Sequence, residues 1–230
     1  MRERITRGLR SPVFPTLLLL LSWFLMALSV WGPWVWAEAA GLRILGLDFS
    51  EYVKFVAEVQ SGQIALVREV FYLPLVVLSI SLSLLAHRHE LRLPVALRWL
   101  LNLLAVPVAL AMLPPAWTPP LLTTPEFLKQ TIAIVVCLIA ALLSYPLLRR
   151  LPGLAVAVTV TVLAGLAAVL SISAFTRLRP ALDTIYGHPI VIGPGVWQLA
   201  IGSVLLGVSV LLLLRSNRGV APVPSSPQAH

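Results

Sequence analysis

The sequence predicts an all-α protein: a polytopic transmembrane bundle of six spans with both termini cytoplasmic. Three observations carry that expectation. Hydrophobic residues make up 59% of the 230 and charged residues only 11%, with mean hydropathy +0.94, whereas a soluble domain carries about a quarter charged. Apolar stretches recur at roughly 13–34, 67–87, 95–113, 128–148, 152–174 and 195–214, each close to the ~20 residues that cross a bilayer core. The basic residues sit in short runs between these stretches, as the positive-inside rule requires of a membrane chain.

The first stretch follows Arg2, Arg4, Arg7 and Arg10. A basic start, an apolar run and the small-residue motif of Ala37, Glu38 and Ala39 also fit a signal peptide cleaved after Ala39. The run from 13 to 30 exceeds the usual ~7–15 residues of such peptides, which favours a retained span. Pro33 offers no N–H to continue a helix and ends it. Trp31, Trp34 and Trp36, together with Trp117 and Trp197, fall at the outer boundary. An indole is apolar with one polar edge, so the five are expected to be interface anchors rather than a ligand platform.

The connection from 37 to 66 is the longest in the chain. Phe49, Tyr52, Val53, Val56 and Val59 recur on one helical face, while Glu51, Lys54 and Glu58 recur on another. This predicts an amphipathic outer-face helix over 48–61, with Asp48 or Ser50 as its cap and Gly62 as its stop. Arg68 and Glu69 open the second span at its boundary, and His87, His89 and Glu90 lie just past its other end. Alternate residues of a helix point apart, so the two histidines read as part of a solvated basic loop and not as a metal pair.

The third and fourth spans bring Asn102 and the lone Cys137, which has no partner for a disulfide. The fifth carries Gly153, Ala157, Thr161 and Gly165 at four-residue spacing, and the sixth carries Ser203 and Gly207. Small residues so spaced predict close helix packing in lipid. Between these spans, the stretch 175–195 is expected to be an outer loop. It presents Arg177, Arg179, Asp183, Tyr186 and His188. Two arginines can hold a phosphate or carboxylate, and Asp183 with His188 can form an acid–base pair. The single domain is expected to span 1–215, and the Pro/Ser-rich 216–230 is expected to be a disordered cytoplasmic tail.

Orientation follows from charge. With the N-terminus inside, Arg2, Arg4, Arg7, Arg10, Arg88, Arg92, Arg98, Arg149, Arg150, Arg215 and Arg218 are cytoplasmic, eleven of the 17 basic residues. Only Glu3 and Glu90 among the acids join them. The pI of 10.8 therefore reflects topology and not nucleic-acid binding.

No ionisable residue lies mid-span, which argues against ion-coupled transport. No nucleophile elbow, phosphate loop or HExxH motif is present in the sequence, and no cofactor or metal is expected. The reading is a non-enzymatic multi-pass subunit or scaffold of a prokaryotic-type plasma membrane. Its partners are the bilayer and other membrane subunits. Contact is expected on the outer face through Arg177, Arg179, Asp183, His188, Arg68 and Glu69. A permease-like carrier for an apolar or anionic lipid-like substrate is the second reading, and an outer-leaflet enzyme the third.

Overall fold

The computed structural model describes residues 13–37, 42–91, 93–145 and 150–218. Glu38 and Ala39 of the cleavage motif, the basic residues 2 to 10, Arg92, Arg149 and the tail from 219 lie outside them. Helices dominate, and among the described residues four are long and apolar enough to cross a membrane: Val13–Trp31, Arg68–Ala86, Gly153–Tyr186 and Pro194–Arg215.

Helix α1 (Val13–Trp31) is a Leu-rich run that stops at Gly32 and Pro33. The chain then forms β1 (Pro33–Trp36), the middle strand of a three-stranded antiparallel sheet. On one side lies β2 (Ile44–Leu45), with Val35 opposite Ile44; on the other lies β3 (Val191–Ile192), with Val35 opposite Ile192. Backbones meet closely here. A Cβ on Gly193 would stand 2.1 Å from the Pro33 carbonyl oxygen, so only glycine fits.

The expected outer helix forms in pieces. After α2 (Phe49–Tyr52) comes a 3₁₀ turn over Val53–Phe55, an extended Val56, and α3 (Ala57–Gln60). Gly62 turns the chain with φ 76°. Of the expected apolar face Phe49, Val53 and Val56 are buried, whereas Tyr52 and Val59 are only half-buried. Seating Val56 extended breaks the helix that would otherwise join the two pieces. Asp48 precedes α2 without a side-chain cap.

A 3₁₀ turn over Arg68–Tyr72 leads into α4 (Leu73–Ala86), the central helix of the bundle, which packs on α1, α5, α7 and α8. Its serines act as cross-links. Ser79 donates to the Ala105 carbonyl at 2.9 Å, and Ser81 accepts from the Trp23 indole at 2.9 Å. Helices α5 (Val95–Leu110) and α7 (Leu128–Leu143) have 16 residues each. Between them lies the single turn α6 (Pro119–Leu122). At 1.5 Å per residue the two 16-residue helices reach about 24 Å, less than the ~30 Å hydrocarbon core. They are thus shorter than the stretches 95–113 and 128–148. Asn102 joins them, donating to the Ala141 carbonyl at 3.2 Å and accepting from Ser144 at 2.7 Å.

Helix α8 (Gly153–Tyr186) has 34 residues and ends on Gly187 at φ 70°. It runs twelve residues past the expected boundary at 174, so Arg177, Arg179 and Asp183 lie on a helix rather than a loop. Phe175, Leu178, Ala181 and Leu182 are buried there, and that burial carries the helix through Pro180. Its buried edge comprises Ala157, Val160, Ala164, Ala167, Ser171, Ala174, Leu178 and Ala181, alternating three and four apart like a coiled-coil seam. Helix α9 (Pro194–Arg218) opens on proline and lies between α1 and α8.

Candidate functional site

The sheet, the short helices and the last turns of α8 form a cap over one end of the bundle. Its core is aromatic: Trp34 packs on Phe49, Phe71 and Phe175 at ring-centroid distances of 5.7, 5.9 and 5.6 Å. The Trp34 indole donates to the Ser29 carbonyl at 2.8 Å. Trp34 is 2% exposed, so it anchors the cap from within, whereas Trp31, Trp36, Trp117 and Trp197 are exposed. Position along β1 decides the difference: Trp34 and Val35 are both buried at the middle of the strand, under the aromatic cluster and the sheet, and Trp36 lies at its exposed end.

Beside this core an ionic network joins two connections. Lys54 bridges Glu51 at 2.7 Å and Glu126 at 2.8 Å. Arg68 meets Glu51 at 3.2 Å and Glu69 at 3.8 Å, and donates to the Glu126 carbonyl at 2.6 Å. Both cations also stand over the Phe127 ring, at 4.6 and 4.9 Å. The Lys54 hydrogen bond, then the nearby Lys54 and Arg68 charges, hold the Glu126 carboxyl below its ordinary range. Arg68, expected as a contact residue, is thus spent on holding the 49–72 segment to the 124–127 turn, and Glu69 meets only the adjacent Arg68 among the described residues.

The remaining expected contact residues do not converge. Arg177 and Arg179 are two apart on α8 and point away from each other, so they cannot hold one anion together. Asp183 accepts the Ile190 amide at 2.7 Å and closes the 187–190 turn. His188 sets its Nδ1 3.1 Å from the Pro189 carbonyl oxygen, and no ion pair joins it to Asp183 among the described residues.

The structure instead opens a cleft of about 390 Å³ between the β2 segment and the end of α8. Arg43, Asp48, Tyr52, Tyr186 and His188 line it over an apolar floor at Ile44. Tyr186 donates its hydroxyl to the Leu42 carbonyl, and its ring meets His188 at 6.1 Å. Arg43 is turned aside, donating to the Ala37 carbonyl at 2.8 Å and lying 4.1 Å from the Trp36 ring centre. The Asp48 carboxylate and Tyr52 hydroxyl make no hydrogen bond among the described residues. Burial pushes the Tyr52 phenol above its ordinary value and keeps it a donor. Of the lining groups, sequence patterning read Tyr186 and His188 as outer-loop polar groups, Asp48 as a helix cap and Tyr52 as part of an apolar face. Arg43 and Asp48 join them only because β2 pairs with β1.

At the opposite end, Arg88 and Glu90 are not solvated as the basic-loop reading expects. They pair at 2.8 Å with side chains 8% and 11% exposed, and Arg88 also donates to the Leu151 carbonyl at 2.6 Å. Gly153 makes room, since a Cβ there would meet the Arg88 guanidinium at 3.0 Å. Of the expected packing stripe, Ala157 is buried and Thr161 contacts Gly207, at 3.2 Å from a Cβ built there; Ser203 is also buried. Gly165 faces open space. No group of three potential metal ligands occurs among the described residues. Comparison with protein-family models, curated proteins and solved structures finds no match to this chain.

Proposed function

We propose that the chain is a six-span, non-catalytic subunit of a prokaryotic-type plasma membrane assembly. Both termini are cytoplasmic, the cap is on the outer face, and the cap cleft is the contact site. The shorter helices α5 and α7 are the third and fourth spans, completed by the turns that follow them. The exposed Trp31, Trp36, Trp117 and Trp197 are the interface anchors, and the bilayer covers the apolar flanks. No nucleic acid, metal or cofactor enters this reading.

One observation carries it: a cap rigidified by an aromatic core and an ionic network presents at its cleft the Asp48 carboxylate and Tyr52 hydroxyl, which make no hydrogen bond among the described residues, beside the exposed His188 ring. Rigid elements presenting a few free polar groups around an apolar floor suit recognition. The carrier reading is weaker. The α8 seam is closed by alanines against its neighbours, where a moving cargo would need space.

The test is purification of the full chain from its native membrane in mild detergent. A partner should remain at fixed stoichiometry with the native chain. Asp48→Asn combined with His188→Gln should release it, while Arg98→Gln at the opposite end should not. Retention by the cap variant and loss with Arg98→Gln would move the contact to the cytoplasmic side.

A further inference from the structure

Arg177 stands at the rim of a second groove, apart from the cleft. The groove encloses about 150 Å³ between the 65–70 segment and α8, with Leu66, Val67 and Val70 on one wall and Leu170 and Ala174 on the other. The walls are fixed to each other, because the buried Ser171 hydroxyl donates to the Val70 carbonyl at 2.7 Å. Val67 is 54% exposed and Leu170 41% exposed, so the groove opens sideways. Arg177 is exposed and makes no ion pair or hydrogen bond among the described residues. Its neighbour Arg68 is already engaged by Glu51 and Glu126.

Depth along α8 gives the groove its setting. With Gly153 at one boundary, a ~30 Å core takes up about 20 residues, which puts the other boundary near Ser173. Leu170 then lies at acyl-chain depth. Arg177, four residues beyond Ser173, lies about 6 Å past the boundary, among the headgroups. An apolar slot at chain depth, with one uncompensated guanidinium directly above it, matches a phospholipid: an acyl chain below and a phosphate above. A guanidinium presents a fork of donors to phosphate oxygens.

We propose that this groove is a specific seat for one outer-leaflet phospholipid, with Arg177 holding its phosphate. The proposal rests on α8 crossing the bilayer but needs neither the partner nor the cleft, so the two readings fail separately.

The test uses the full chain reconstituted in nanodiscs of equal parts phosphatidylcholine and phosphatidylglycerol, then extracted and weighed by native mass spectrometry. One phosphatidylglycerol should survive extraction with the native chain. Arg177→Gln should weaken its retention about tenfold, the loss of a charge-assisted hydrogen bond. Ala65→Phe, which fills the groove from the exposed loop side, should do the same without touching the arginine. Arg179→Gln should change nothing, and added inorganic phosphate should not displace the lipid. Unchanged thermal unfolding of each variant in lipid-free detergent shows that the fold is intact. Equal retention by native chain and Arg177→Gln overturns the proposal. Displacement by free phosphate also overturns it, because the acyl chain would then contribute nothing.

Discussion

The Arg88–Glu90 pair shows how a charge can be structural at the edge of a bilayer. Two nearly buried ions gain little over apolar residues of similar size, but an ion left alone there is costly. Glu90→Ala should therefore cost about 3 kcal/mol, near the lower end for a broken buried pair. Arg88→Met with Glu90→Leu should recover most of that loss. Denaturant unfolding in detergent measures both, and a double variant as unstable as the single one would show that the charges are not coupled. The sequence places both residues in a short basic loop, where solvation is the ordinary expectation. Their burial depends on Gly153 and the Leu151 carbonyl, more than sixty residues away. Trp34 was obscured for the same kind of reason: an indole beside Gly-Pro reads as an interface anchor until Phe49, Phe71 and Phe175, distant in sequence, close over it.

At the scale of elements, periodicity recovered what it encodes and missed what pairing decides. The long apolar runs gave their helices, and the buried face at Phe49, Val53 and Val56 was read correctly. The three short strands were not, because β1 finds β3 across more than 150 residues and neither carries a period long enough to detect. The four-residue stripe on α8 was followed too literally. A spacing of four drifts around a 3.6-residue helix, so Gly153, Ala157 and Thr161 face neighbours while Gly165 has rotated out. The working seam alternates three and four and includes Ala167, which is fully buried. Ala167→Leu should then overpack it and cost about 1–3 kcal/mol. Gly165→Ala meets nothing within 4 Å and should add roughly 0.5–1 kcal/mol by stiffening the helix. Thermal unfolding of the two variants in one detergent separates the seams; stability rising in both would mean that the Ala167 edge is loosely packed.

The whole molecule brings its connections together at two ends. The Lys54–Glu126 bridge and the Arg68 bond to the Glu126 carbonyl gather 49–72 and 124–127 at the cap. The Ile190–Asp183 bond and the β1–β3 pairing bring the end of α8 to the same place. Arg88, Gly153 and Leu214 line one small cavity at the other end, which gathers the exits of α4 and α9 with the start of α8. The proposed orientation rests on the charges of the sequence, which place most acids at the cap end and eleven of the 17 basic residues at the other. The proposed six-span topology requires α5 and α7 each to complete a crossing despite their 16 helical residues, by local thinning of the bilayer or by their flanking turns. Reporter fusions after Glu90, Arg150 and Arg218 should therefore be cytoplasmic, and fusions near Ser61, Thr123 and Asp183 external. The Thr123 fusion is decisive. If α5 and α7 cross, it reports from the same side as Ser61. If they lie in the membrane without crossing, it reports with Glu90, the chain has four spans, and the Lys54–Glu126 bridge is absent in the membrane-embedded protein.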